Sequence, residues 1–100
     1  MTNEELLRVI EEAKASEATM LDLSDKGLTI LPSEICCLTS LTWLNLDRNQ
    51  LTVLPPELFQ LTDLKKLYLY DNQLKALPPE IDCLTNLIRL DLPKLRRSRF

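Results

Sequence analysis

The sequence predicts an α/β solenoid, a curved parallel sheet of about four short strands that follows an N-terminal capping helix. Two observations predict this fold. Residues 38–60 align with residues 61–83 without a gap, and 12 of the 23 paired positions are identical. Within these units leucines recur two residues apart, which is the spacing of side chains on one face of a strand. A fixed period in the twenties is typical of stacked repeats.

We predict a single domain over residues 1–100 that is built from repeat units. The same offset run backwards gives a unit at 15–37, ahead of the units at 38–60 and 61–83. Run forwards, it gives a partial repeat with a basic tail at 84–100. Each unit is too short for a long helix, so a short helical turn is expected on each return arc.

An N-terminal helix is predicted at 3–15, where it would cap the first repeat. Thr2 and Glu5 fit a capping box, in which each side chain bonds the backbone N–H of the other residue. The apolar side chains of the segment share one helical face, as a helix packed on a core requires. They are Leu6, Val9, Ile10 and Ala13.

A buried asparagine is predicted at the turn that follows each strand. The complete units carry the pattern L-x-x-L-x-L-x-x-N-x-L, with Asn49 in the second unit and Asn72 in the third. An asparagine there can bond backbone groups that would be costly to bury unpaired, so stacked copies would form a ladder. In the first unit Lys26 takes this position and Gly27 follows, which predicts an unusual backbone conformation at the glycine.

This pattern resembles the leucine-rich-repeat family. More narrowly, it is similar to the 23-residue type with L-P-x-E-[IL] on the return arc, found in bacterial leucine-rich-repeat proteins and in the repeat region of Roco-type GTPases. The resemblance covers residues 15–92. It implies a scaffold for protein recognition, usually through the concave face of the sheet, and it suggests a bacterial source.

Composition and charge exclude several classes of protein. No apolar run is long enough to span a membrane, and the N-terminus lacks the basic and apolar segments of a signal peptide, so a cytoplasmic protein without membrane contact is expected. The 8 basic and 15 acidic residues before Lys94 leave this part at −7. An acidic body argues against nucleic acid as a partner.

Catalysis, cofactors and metals are not expected. The chain has no His and only one glycine, which removes the commonest general base and any glycine-rich phosphate loop. Cys36 and Cys37 are adjacent and Cys83 lies two repeats further on, so no metal-ligand spacing exists and free thiols are predicted.

A partner-binding surface is predicted on the outward face of the strands, between the inward leucines. Aromatic side chains with a polar group, placed beside arginine, are typical of binding hot spots. The alternative is that the aromatic side chains only pack on one another across the strands. The predicted residues are Trp43, Asn45, Asp47, Arg48, Lys66, Tyr68, Tyr70 and Arg89.

The C-terminal end departs from the repeat, because Leu95 stands at the asparagine position and basic residues follow it. Three explanations are open: the tail folds back as a cap through Leu95 and Phe100, the open end pairs with a second copy in a homodimer, or the chain is the N-terminal fragment of a longer repeat protein. A self-associating structural module is therefore the alternative to a module that binds another protein.

Overall fold

Each repeat contributes one strand to a single parallel sheet in the computed structural model, which describes residues 1–91. The sheet has four strands in the order β1-β2-β3-β4. The strands are β1 (Met20–Asp22), β2 (Trp43–Asn45), β3 (Lys66–Tyr68) and β4 (Arg89–Asp91). This sheet, with its N-terminal helix, confirms the predicted fold class. The predicted basic tail and the fold-back cap lie outside the described residues.

The register of the sheet repeats the period of the sequence. Met20 pairs with Trp43, Trp43 pairs with Lys66, and Lys66 pairs with Arg89. Backbone hydrogen bonds continue beyond the three-residue strands, since the N–H of Asp25 donates to the carbonyl of Asp47 at 2.9 Å. A matching bond runs from the N–H of Arg48 to the carbonyl of Tyr70 at 2.8 Å, so the chain stays in register through the turns that follow β1, β2 and β3.

Leucines fill the space behind the sheet. Leu44, Leu46, Leu67 and Leu69 are completely buried, whereas the residues between them are half-buried or exposed. This alternation is the strand period that the sequence predicts. Burying one such side chain stabilises the fold by about 1.5–3 kcal/mol relative to leaving it exposed.

The first helix, α1 (Asn3–Ala15), covers the first repeat. The capping box is present, because Thr2 Oγ1 accepts from the N–H of Glu5 at 3.1 Å and Glu5 Oε1 accepts from the N–H of Thr2 at 2.8 Å. Leu6 and Ile10 are buried against the leucine core, and Val9 packs at its edge. The helix thus closes one end of the stack.

Return arcs on the other side of the core form three short 3₁₀ helices, Ser33–Cys37, Pro56–Gln60 and Pro79–Cys83. Ile35 and Leu58 anchor the first two arcs in the core. Phe59 is also buried, although the neighbouring arcs carry Cys36 and Asp82 at its position. The sequence pattern did not indicate this additional core residue.

The asparagine ladder is formed. Asn49 Oδ1 accepts from the N–H of Lys26 at 3.1 Å and of Leu28 at 3.0 Å, and its Nδ2 donates to the carbonyls of Leu23 and Leu46 at 3.0 Å. One repeat later, Asn72 makes the matching bond to the N–H of Leu51 at 3.1 Å. Each asparagine therefore joins its own turn to the turn before it.

Left-handed backbone follows β1, β2 and β3. Gly27 has φ +67°, as the sequence predicts for the glycine. Asp25, Arg48 and Asp71, which occupy one position of the repeat, also have positive φ, between 57° and 60°. Aspartate tolerates this region better than arginine does, so Arg48 carries more backbone strain than its counterparts.

Candidate functional site

The outward face of the sheet, called the concave face here, carries the eight predicted residues. Trp43, Lys66 and Arg89 occupy the first positions of their strands and lie in one row across the sheet. Asn45 and Tyr68 form the next row, at the strand ends. Asp47, Arg48 and Tyr70 follow in the turns, beyond the last residues of β2 and β3. The face thus extends past the strands themselves.

Two aromatic rings and an arginine form one contact cluster on this face. The ring centroids of Trp43 and Tyr68 are 5.4 Å apart with a 57° angle between the planes. Arg89 Cζ lies 5.5 Å from the centroid of the Tyr68 ring. A tilted aromatic pair is worth about 0.5–1.5 kcal/mol beyond its buried area, and an exposed cation–π contact about 0.5–1 kcal/mol. We call Trp43, Tyr68 and Arg89 the aromatic cluster.

Asp91 holds the guanidinium of Arg89 over the tyrosine. Arg89 Nε lies 3.2 Å from Asp91 Oδ1, and Nη2 lies 3.3 Å from Oδ2. The Asp91 hydrogen bond and charge raise the pKa of Arg89. The side chains are 57% and 37% exposed, so water screens the pair and its contribution to stability is small. Its effect is to orient the arginine.

Carboxylate and amide side chains fix the turns beside the aromatic cluster. Asn45 Oδ1 accepts from the N–H of Asp47 at 2.9 Å, and Asp47 Oδ1 accepts from the N–H of Tyr70 at 2.7 Å. Tyr70 itself remains 59% exposed. Its ring is therefore presented to solvent from a backbone that a neighbouring repeat holds in place.

Arg48 and Lys66 share the face but stand apart from these contacts. Arg48 is exposed on its left-handed turn, and Lys66 is half-buried between Trp43 and Arg89 in the strand register. Within residues 1–91 neither side chain forms an ion pair with another residue. Both cations could therefore pair with an acidic group of a partner, because no carboxylate within residues 1–91 forms an ion pair with them.

The predicted set omitted two exposed residues of the same face and one exposed residue beside it. Met20 begins β1 in the row of Trp43 and is 60% exposed. Asp22 lies in the row of Asn45, and its carboxylate accepts from Ser24. Lys65 is exposed directly before β3. The 23-residue offset places Met20 and Asp22 on the outward face from the sequence alone, although neither was included in the predicted binding set.

In the part of the chain that the structure describes, no three His, Cys, Asp or Glu side chains are arranged to hold a metal ion. The three cysteines are free thiols, and partial burial and then the adjacent Cys37 raise the pKa of Cys36. None of the helices in residues 1–91 has the length and apolar character needed to cross a membrane.

Sequence comparison assigns the family. The family profile described as leucine rich repeat matches residues 39–94, more than half of the chain. The chain therefore belongs to the leucine-rich-repeat family. Domains of this family generally mediate protein interactions and are typically not enzymes. No curated protein sequence matches the chain significantly.

Solved structures share the fold. A leucine-rich-repeat protein of Leptospira interrogans is 34% identical with a TM-score of 0.70, over 79% of this chain and 26% of that one. A TDR receptor is 30% identical with a TM-score of 0.78, over 91% of this chain and 16% of that one. An internalin from Listeria monocytogenes is 26% identical with a TM-score of 0.75, over 97% and 30%. The chain spans less than a third of the length of each of these proteins.

Proposed function

We propose that this domain is a protein-interaction module that presents its concave face to a protein partner in the cytoplasm, without catalytic activity of its own. The observation that carries the proposal is the aromatic cluster.

The 23-residue strand register supports membership of the narrower 23-residue repeat type, and with it a bacterial source.

The aromatic cluster has the properties of an interface hot spot. Trp43 and Tyr68 are half-buried, so each keeps surface that a partner would cover. Contacts with each other and with Arg89 already restrict their side chains. Ordering a free side chain on binding costs about 0.5–1.5 kcal/mol, and a restricted one loses less. Tryptophan, tyrosine and arginine are the residues in which binding energy is most often concentrated.

Sedimentation velocity and affinity capture together test the proposal. The test variant is Trp43→Ala/Tyr68→Ala/Tyr70→Ala, and the matched control is Ile30→Ala/Val53→Ala. Ile30 and Val53 are each 68% exposed apolar residues outside the concave face. The proposal expects both variants and the native chain to sediment as monomers, with a partner captured by the native chain and the control only. Equal capture by the test variant would reject the concave face as the binding surface.

Self-association is the second candidate function, and the core near β4 favours it. Leu87 and Leu90 are half-buried, whereas their counterparts Leu64 and Leu67 one repeat earlier are fully buried. Ile88, beside them, is 74% exposed. Such apolar surface would be covered by a second copy, by further repeats of a longer solenoid, or by a cap folded back through Leu95 and Phe100, which lie outside the described residues.

Sedimentation of an Ile88→Lys variant separates the two functions. A native dimer that becomes a monomer through Ile88→Lys, but not through the triple aromatic variant, would assign association to the β4 end. A native dimer that the aromatic substitutions disrupt would instead make the concave face a self-association surface. In that case the proposed binding of a different protein through this face would fail.

A further inference from the structure

Acidic and basic side chains are most concentrated at opposite corners of the concave face. Lys65, Lys66 and Arg89 lie at the beginnings of β3 and β4, and we call them the basic corner. At the opposite corner, Asp22 ends β1, Asp25 lies in the turn after it, and Asp47 follows β2; these form the acidic corner. The aromatic pair Trp43–Tyr68 lies between the two corners in the strand register.

The strand register fixes the separation of the two corners. Lys66 and Asp22 are two strands apart across the sheet and two residues apart along it. Neighbouring strands are about 4.8 Å apart and a strand rises about 3.3 Å per residue, so the two backbone positions are about 12 Å apart. An extended chain spans this distance in about four residues.

The acidic corner is held in place by backbone hydrogen bonds. Asp22 Oδ1 accepts from the N–H of Ser24 at 2.9 Å and from its hydroxyl at 2.6 Å. Asp47 Oδ1 accepts from the N–H of Tyr70 at 2.7 Å. These bonds occupy Oδ1 of each carboxylate and so orient its second oxygen. Lys26 and Arg48 also lie near this corner, since both charges act on Asp22, and they reduce the charge of the corner without cancelling three carboxylates.

The basic corner is charged in a complementary way. Asp91 pairs with Arg89, so the net positive charge of the corner rests on Lys65 and Lys66. Asp63 is exposed two residues before Lys65 and offsets part of this charge. The concave face is therefore positive at one corner, negative at the opposite corner, and aromatic between them.

We propose that this face binds an extended segment of a partner protein with three features in order. An acidic side chain meets Lys65 and Lys66, an apolar or aromatic side chain packs on Trp43 and Tyr68, and a basic side chain meets Asp22 and Asp47. The two charges are about four residues apart in the partner. Short segments free in water are not stably helical, so the extended form costs less to order. This inference rests on the proposed function, because it specifies the partner of the same surface.

A display library of random dodecapeptides, selected on the native chain, tests the inference without a known partner. Selected peptides are then measured against Lys65→Glu/Lys66→Glu, with Lys14→Glu/Lys75→Glu as the control that changes net charge equally on other surfaces. They are also measured against Asp22→Asn/Asp47→Asn, with Glu34→Gln/Glu57→Gln as the matched control. Asparagine keeps an Oδ1 acceptor for the two turns, so this pair removes charge while preserving the fold.

The inference expects enriched peptides with an acidic and a basic residue about four positions apart, flanking an apolar one. Affinity should fall about tenfold in either corner variant and by less than about twofold in the controls, and it should fall as salt rises. A second selection on Lys65→Glu/Lys66→Glu should exchange the acidic residue for a basic one.

Four outcomes overturn the inference. Peptides that depend on Trp43 and Tyr68 but show no charge pattern would refute it and leave the proposed function standing. Peptides that show the charge pattern but bind the corner variants and the control variants with equal affinity would also refute the inference and leave the proposed function standing. Peptides that bind the triple aromatic variant with unchanged affinity would refute the inference and would also remove the concave face from the proposed function. A selection that enriches no peptide would refute the inference alone.

Discussion

Replacing Asn49 with alanine should destabilise the domain far more than its position on a turn suggests. Asn49 is only 6% exposed and is the single buried polar residue among residues 1–91. Truncation leaves the N–H of Leu28 and the carbonyl of Leu23 without the partners that Asn49 provides. The carbonyl of Leu46 keeps its second bond, from Asn72 Nδ2 at 2.8 Å.

The expected magnitude follows from those two buried groups. An unsatisfied buried donor or acceptor costs about 1–3 kcal/mol. Two such groups give a loss of about 2–6 kcal/mol, and a water molecule entering the space of the deleted amide places the expected value near 3 kcal/mol. A domain of this size has a free energy of unfolding of about 5–15 kcal/mol, so the variant should remain folded but lose a large share of its stability.

Urea unfolding followed by the fluorescence of Trp43, the only tryptophan, measures this loss. Two asparagines give a graded control series. Asn72 makes part-buried bonds, and Asn86 makes one exposed bond to the carbonyl of Thr62 at 2.8 Å. The expected order of destabilisation by alanine is Asn49, then Asn72, then Asn86, with Asn86→Ala below about 1 kcal/mol.

Two results would contradict the reasoning in different ways. A loss for Asn49→Ala equal to that of Asn86→Ala would mean that the ladder bonds contribute nothing beyond exposed ones. A lower m-value at an unchanged midpoint would mean that the first repeat unfolds separately, since stacked repeats can lose cooperativity. In that case the substitution would have uncoupled two repeats and not merely weakened one.

Three further predictions concern other parts of the chain. Arg48→Asn should raise the free energy of unfolding by about 1 kcal/mol, because asparagine tolerates φ near +57° better than arginine, and an unchanged urea midpoint would exclude strain there. Phe59→Ala should cost about 3–5 kcal/mol in the same assay, whereas Cys36→Ala at the equivalent half-buried position should cost much less. Hydrogen bonds from Thr2 lower the pKa of Glu5, so its contribution is present above the ordinary value of 4.5 and is lost as pH falls through the lowered pKa. The native chain should therefore be more stable than Glu5→Gln at pH 7, and a difference that persists unchanged at pH 2 would disprove the assignment.

The sequence predicted those features that depend on fixed spacing. The 23-residue offset specifies the strand register, so Trp43 pairs with Lys66 as the aligned units require. The asparagine ladder and the capping box were predictable for the same reason, because each joins residue types whose donors and acceptors match at a set separation. Glycine at position 27 also carried its own signal, since few other residues accept its φ.

Features that depend on neighbours in space were not predictable. Phe59 enters the core although the other arcs carry a cysteine and an aspartate at that position, so no repeated pattern indicated it. The left-handed conformation of Arg48 is imposed by the stacked turns and not by its own preference. The sequence predicted that Trp43 lies on the concave face. The stacking of Arg89 on Tyr68 could not be predicted, because it depends on side-chain rotamers that only the tertiary contacts select.

The one-to-one register of the strands has a consequence for how such a protein can change length. Since every strand meets its copy at the same offset, an in-frame duplication of residues 38–60 would insert a strand whose two neighbours already fit it. The concave face would widen by about 4.8 Å, and the contacts of the added strand would be of a kind already present. A gain or loss within a strand or its asparagine turn that is not a multiple of 23 residues would misalign the ladder, so the concave face would change in area by whole repeats.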